Sequence, residues 1–370
     1  MIRYFLRGLL VIGLVFLAAC SSVDTGPEPT PEPAPDTDPV PDTDPVVTPR
    51  GGVPIIVDTD VGIDIDDAGA LAVLHTLADR GEATILATVS NVYDPYASAA
   101  VDAVNTYYNR PDIPVGRNPN PEHYAVATPY WRDVPHFVET MAEFPNDIDL
   151  GAITPAVQVY REVLAAQPDG SVTVVSLGFM QNLADLMDSG PDEYSDLGGM
   201  DLIRQKVAKL VVMAGYYPSH RGELYLAGGR DMDAQAARQV VGGWPTLTVF
   251  SPGNVNVCDD VRNGDTLSEK TPPTNPVRIG YELFNGPELG RTSWDLCAVL
   301  YAVRGDSDPQ DGAYFTLADT EERLTVAPDG SSLWVPDEAS NHERMLRVMP
   351  EDELEAILEA LLVAPPRDEP

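Results

Sequence analysis

Basic residues are scarce in this sequence. Its 370 residues hold 23 lysines and arginines against 58 aspartates and glutamates, a formal net charge of -35. A surface of that sign repels a phosphate backbone, which argues against nucleic-acid binding. Cysteine is rarer still, with three residues, Cys20, Cys258 and Cys297, and none of them lies in the Cys-x-x-Cys spacing of a zinc site. Histidine occurs five times, as His75, His123, His136, His220 and His342, and never beside the acidic loop described below. The apolar run Leu9–Ala19 is too short to make a comfortable transmembrane helix. What remains is ordinary for a globular chain, with 44% hydrophobic residues and length for one large α/β domain or two modest ones.

The first residues read as an address. Arg3 and Arg7 precede the apolar run, which ends in Leu17-Ala18-Ala19-Cys20. That pattern is a signal peptide, and its ending resembles the lipobox at which bacterial lipoproteins are lipidated and cleaved. Cys20 would become the acylated first residue; an ordinary secretory signal with an incidental cysteine is the competing reading. A tract of Pro, Asp, Glu and Thr follows, with Asp-Thr-Asp-Pro-Val at 36–40 and again at 42–46. It cannot bury a core and reads as an extended, self-repelling spacer. We therefore expect a signal peptide at 1–20, a disordered tether at 21–50 and a folded domain at 51–370. The protein should be lipid-anchored in a bacterial envelope, in the periplasm or on the cell surface. Cys258 and Cys297 could pair in an oxidising compartment or remain buried thiols, and we expect thiols.

From Gly51 onward, strands and helices alternate. Val53–Val57 is an apolar, β-branched run of the kind buried on both faces of a sheet. Further strands are predicted at 84–90, 113–115, 171–177, 209–213 and 246–250. Helices are predicted at 66–80, 95–109, 182–187, 294–303 and 351–362, the first with Ala68, Leu71, Leu74, Leu77 and Ala78 on one face. This order implies an α/β fold, a mainly parallel sheet with helices on both faces. Ligands of such sheets bind beyond the carboxyl ends of the strands.

One loop in that position stands out. Asp58, Asp60, Asp64, Asp66 and Asp67 fall within ten residues after the first strand. Their mutual repulsion in a cleft would be costly without a cation. Oxygen ligands select calcium or magnesium, and the lack of nearby His or Cys argues against zinc. Gly62 permits the tight turn that lets carboxylates on either side converge. A helix N-terminus rich in aspartate would explain Asp66 and Asp67 but leaves Asp58 and Asp60 unexplained.

The run Asp58-Thr59-Asp60-Val61-Gly62-Ile63-Asp64-Ile65-Asp66-Asp67 resembles the Asp-x-Asp-x-Gly-x-Asp-Asp signature of the inosine-uridine preferring nucleoside hydrolases, with two extra residues before the closing pair. Thr88-Val89-Ser90-Asn91-Val92 is similar to the family's second strand, which ends in a ribose-contacting asparagine. Leu177-Gly178-Phe179-Met180-Gln181-Asn182-Leu183-Ala184 resembles its Gly-Pro-Leu-Thr-Asn-Leu-Ala turn, and Lys209–Gly215 the strand that opens its ribose-binding segment. Ser293-Trp294-Asp295 falls where the family has a metal-binding aspartate. The resemblance spans about residues 53–305.

The resemblance implies hydrolysis of the N-glycosidic bond of a nucleoside or related riboside, through a transition state with oxocarbenium character. Calcium would be held by Asp60, Asp67, Asp295 and the backbone carbonyl of Leu177, with Asp60 also the general base. Asn91 and Asp66 (or Asp64) would hold ribose hydroxyls, Trp294 would stack on the base or seal the pocket, and Asp58 would support the loop. Homo-oligomers are common in the family. Two departures concern the substrate. Ala227-Gly228-Gly229 stands where many members have Glu-Phe-Asn, with Glu223 a candidate replacement, and Trp294 stands where many have a histidine. His75 reads as structural, whereas His123, His136 and His220 could approach a leaving group. Two other readings remain. Ile55–Asp60 is similar to the start of a haloacid dehalogenase-like phosphatase, with Asp58 as nucleophile, Asp60 as acid and magnesium as cofactor. Alternatively, the chain is a non-catalytic, calcium-dependent surface binding protein.

Overall fold

The computed structural model describes residues 51–121, 137–223 and 231–367. Cys20, the tether, His123, His136 and Ala227-Gly228-Gly229 lie outside them. The first half runs β1 (Val53–Thr59), α1 (Asp66–Asp79), β2 (Ala83–Ser90), α2 (Ala97–Tyr107), β3 (Val115–Arg117), α3 (Phe137–Met141), α4 (Ala156–Ala165), β4 (Val172–Ser176), α5 (Gln181–Asp188), α6 (Gly199–Lys206) and β5 (Val207–Val212). Then come β6 (Ser219–His220), α7 (Asp231–Gly243), β7 (Leu247–Phe250), β8 (Arg262–Asn263), α8 (Leu267–Lys270), α9 (Pro276–Phe284), β9 (Arg291–Thr292) and α10 (Trp294–Arg304). The chain closes with β10 (Ser307–Asp308), β11 (Gly312–Ala313), β12 (Phe315–Leu317), β13 (Glu322–Val326), β14 (Ser332–Pro336), β15 (His342–Arg347) and α11 (Glu351–Leu362).

Eight strands make the main sheet, in the order β12-β15-β7-β5-β4-β1-β2-β3. Every neighbouring pair is parallel except β12 with β15. Alternation along β1 sends its side chains to two separate cores. Ile55 and Val57 pack with α1, α2, α10 and α11 on one face, and Ile56 packs with α4, α5, α6 and α7 on the other. The expected parallel sheet with helices on both faces is therefore present. Among the described residues no helix is long and apolar enough to cross a membrane.

Several boundaries moved for local reasons. The strand expected at 113–115 is Val115–Arg117, because Pro114 has no N–H to donate to the ladder and contributes only its carbonyl, to Thr88. The helix α1 does not present one apolar stripe. Every residue from Asp66 to Leu77 is buried, because α10 and α11 close over the sides that an edge helix would leave wet. The helix α9, not among the predicted helices, begins in a local signal. Asn275 caps it by accepting from Val277 and Arg278, and Pro276 occupies the first turn, where a missing N–H costs nothing. The antiparallel strands β13, β14 and β6 form a separate small sheet.

One expectation is corrected. Cys258 and Cys297 are not thiols but a disulfide, with Cα atoms 6.6 Å apart. They are 39 residues apart in sequence, and only the packing of the loop after β7 onto the first turn of α10 brings them together. Both are fully buried. Replacing both by serine should lower the unfolding free energy by about 4 kcal/mol for a loop of this length. Denaturant titration of the oxidised protein against the double variant measures it, and equal midpoints would show that the bridge does not constrain the unfolded chain.

Candidate metal centre

The carboxyl edge of the sheet assembles the site. β1 ends in Asp58 and Thr59, and the chain then turns through Asp60–Ile65 into α1. Gly62 makes that turn at φ 115°, a conformation open to glycine, and the N–H of Ile63 closes it onto the Asp60 carbonyl at 3.0 Å. The first turn of α1 returns Asp66 and Asp67 to the end of β1. Asp67 Oδ1 accepts the Thr59 hydroxyl and, at 3.1 Å, the N–H of Asp60. The neighbouring strands close in on both sides. Asn91, after β2, donates its N–H to the Thr59 carbonyl, and Leu177, after β4, donates to the Asp58 carbonyl. A Cβ on Gly178 would lie 2.6 Å from Asp60 Cγ, so the backbone after Leu177 presses directly on that carboxylate. Asp295 arrives from α10, and its N–H donates to Asp66 Oδ2 at 3.3 Å.

Asp66, Asp67 and Asp295 each place a carboxylate oxygen within 4.8 Å of the others. All three and Asp60 are buried. No donor group among the described residues reaches either Asp60 oxygen, Asp67 Oδ2 or Asp295 Oδ1. Two unit charges 4.8 Å apart repel by about 3.5 kcal/mol at an effective dielectric near 20. The carboxyls respond by holding their protons. Burial first, and then the neighbouring aspartates, push Asp60, Asp66 and Asp295 well above the usual carboxylate range. Asp67 is pushed up to about 7, mainly by burial. A buried set of anionic oxygens with unused lone pairs fits a hard divalent cation, which would reverse these shifts.

Asp58 is not part of that set. Its oxygens accept from Asn91 Nδ2 at 2.9 Å, Asn182 Nδ2 at 3.1 Å and the Tyr160 hydroxyl at 2.9 Å. These bonds join Asp58 to three other elements, and a nucleophilic role is disfavoured because both oxygens are engaged. Burial still raises it to about 7. The network extends outward, since Asn118 donates to Asn182 Oδ1 at 2.9 Å and so directs the Asn182 amide nitrogen toward Asp58. With its own nitrogen on Asp58, Asn91 leaves Oδ1 buried, with no donor on it among the described residues.

The other expected residues divide. Asp66 joins Asp67 and Asp295, whereas Asp64 is paired with Arg291. Trp294 is half-buried, leans on the core and donates Nε1–H to Asp259 at 3.1 Å. Glu223 is buried beyond β5 with its carboxylate on the N–H groups of Gly215 and Tyr216, and burial raises it to about 7. His75 is structural: burial lowers it to about 3, and its Nε2 meets Asn105 Oδ1 at 3.0 Å. His220 lies against the Tyr216 ring. Tyr160 and Arg291 carried no sequence signal, because their partners are more than 100 residues away. Asn182 was visible only as part of a turn motif.

No protein-family model and no curated protein matches the sequence. Solved structures do. A plant nucleoside hydrolase, PpNRh1, superposes with a TM-score of 0.58 at 16% identity, covering 84% of this chain and 99% of that one. The type III effector protein XopQ, complexed with adenosine diphosphate ribose, gives 0.56 at 16% identity, covering 86% and 94%. The chain has the nucleoside hydrolase-like α/β fold. In this fold the acidic cluster sits at the carboxyl ends of the central strands, where open α/β sheets bind their ligands.

The raised carboxyls make a pH signature. A carboxyl raised in the folded state keeps a proton that the unfolded chain has lost, so its stabilising contribution is present at low pH and is lost as pH rises through the folded value. Asp58, Asp67 and Glu223 reach about 7. His75 and His342, lowered by burial to about 3 and about 4, act the opposite way, losing stability as pH falls below 6.5. The raised carboxyls, ten among the described residues, outnumber the two histidines, so the melting temperature in chelator should fall from about pH 5 to about pH 8, and an added divalent cation should reduce the fall. A chelated protein whose melting temperature climbs over that range would contradict the charge state described.

Proposed function

We propose that this protein hydrolyses the N-glycosidic bond of a ribonucleoside or related riboside, releasing base and ribose, in a calcium-dependent reaction. The observation that carries the reading is the buried cluster of Asp60, Asp66, Asp67 and Asp295, with unbonded oxygens, at the carboxyl edge of a nucleoside hydrolase-like sheet. Asp60, Asp67 and Asp295 would hold the cation together with the Leu177 carbonyl. Bound there, calcium supplies an orienting point for water and sugar hydroxyls and lowers the pKa of that water. Asp60, whose two oxygens are reached by no donor group among the described residues, accepts the proton of the attacking water. Asp66 accepts a sugar hydroxyl. Asn91 does so through Oδ1, because its nitrogen is committed to Asp58. Trp294 faces the leaving base or closes the pocket over it.

A second reading has its own support. XopQ, with the same fold, is complexed with adenosine diphosphate ribose, so this chain is alternatively a calcium-dependent binder of a ribosyl compound. The two separate on ribose release from a panel of purine and pyrimidine nucleosides, using the domain from Gly51 onward. Hydrolysis predicts release that is abolished by chelator and reduced about 10²- to 10⁴-fold in Asp60→Asn. A protein that binds calcium and adenosine diphosphate ribose but releases nothing from either would be the binder.

We also place the protein in a bacterial envelope, anchored through an acylated Cys20 after removal of residues 1–19, with 21–50 as its tether. The support is the Leu-Ala-Ala-Cys ending and the proline-rich tract. Expressed in a bacterium, the protein should partition into detergent with the membranes, and Cys20→Ser should lose the lipid mass. Identical masses and partitioning would remove the anchor.

A further inference from the structure

The acidic loop carries two residues more than the signature it resembles, and the aspartate so added has been given another partner. Asp64 Oδ1 accepts Nε–H of Arg291 at 2.9 Å, while Oδ2 accepts from Nη2 of the same guanidinium. Oδ1 also accepts the N–H of Ile65 at 2.7 Å, which pins the carboxylate to the start of α1. Arg291 belongs to the opposite side of the site. It lies on β9, paired with Asn263 of β8, four residues before Asp295. Its guanidinium lies 5.5 Å from the Phe284 ring centre and 5.0 Å from that of Trp294. The backbone beyond it is held too, with Ser293 N–H on the Val261 carbonyl at 2.9 Å and the Ser293 hydroxyl on Asn263 Oδ1 at 2.8 Å.

A planar fork bonded at two points and stacked on rings fixes both distance and orientation; a lysine supplies charge without either. We propose that Arg291 is a positioning residue. It ties the inserted Asp64 to the strand leading into α10 and so holds the two sides of the site in register, Asp67 on α1 and Asp295 on α10 as cation ligands with Asp66 between them. This inference rests on the reading of the cluster as a calcium site. It also explains why Asp66, and not Asp64, meets Asp295. Because Asp64 matches the charge of Arg291, the pair adds no net charge to the cluster, and geometry can be separated from electrostatics by removing both partners at once.

The test is calorimetric titration with calcium of the wild type, Asp64→Asn/Arg291→Met and Arg291→Lys, with ribose release measured beside it. The double variant conserves net charge and the single variant conserves the cation. Both should weaken calcium binding about 10- to 100-fold, the usual loss when a residue orienting metal ligands is replaced. Should the double variant not fold, Arg291→Lys decides alone. Calcium affinity within about threefold of wild type, in any folded variant of the two, overturns the clamp. If the wild type binds calcium but releases no ribose, affinity still decides the clamp and only the hydrolase reading falls. A wild type that binds no calcium overturns both.

Discussion

Asp66, Asp67 and Asp295 are removed from water with carboxylate oxygens within 4.8 Å of one another, Asp60 is buried next to Asp67, and the rest of the site follows from that crowding. Each carboxylate alone would lose several kcal/mol on leaving water, and each pair adds repulsion. Such a cluster persists when it is protonated or when a cation neutralises it. The Arg291 guanidinium is paired with Asp64, which is not one of the clustered aspartates. The unused oxygens of Asp60, Asp67 and Asp295 are what a hard divalent ion requires.

Holding four repelling groups in place demands stiffness around them. Below Asp60, the Asp58 carboxylate ties together Asn91, Tyr160 and Asn182, drawn from β2, α4 and α5. Beside it, Gly178 lets the β4 backbone press on the carboxylate. On the far side the first turn of α10 is held by the disulfide at Cys297, by the Trp294–Asp259 bond and by the Ser293 contacts. These supports approach from separate parts of the chain, so the carboxylates cannot relax apart by the movement of one loop.

Much of the central fold was legible because parallel strands buried on both faces leave uninterrupted β-branched runs, as at Val53–Val57 and Val172–Ser176. The acidic loop was legible because a helix N-terminus accounts for Asp66 and Asp67 but not for the aspartates on the strand side of Gly62. The C-terminal strands were not. In β13, β14 and β15, charged residues such as Glu322, Arg323 and Glu343 interrupt the apolar pattern, and their pairing partners are supplied by the fold. The helices α4 and α7 were passed over as well, although each buries one face against the sheet. The disulfide was misjudged because spacing says nothing about a distance set by packing.

The sequence by itself determined the chemistry of the centre: oxygen donors, negative charge and a glycine-hinged turn at the end of a buried strand are local properties of residues 53–67. It also determined the α/β class, since hydrophobic periodicity is local. Tertiary structure alone decided which carboxylates meet. Asp64 and Asp66 are two residues apart and chemically identical, and they diverge because Arg291, 227 positions beyond Asp64, takes the first, while Asp295, 229 beyond Asp66, meets the second. Likewise Asp58 and Asp60 diverge because three donors from other elements reach one and none among the described residues reaches the side chain of the other. A carboxylate's role depends on what stands within about 3 Å of its oxygens, and that distance is set by the folded chain.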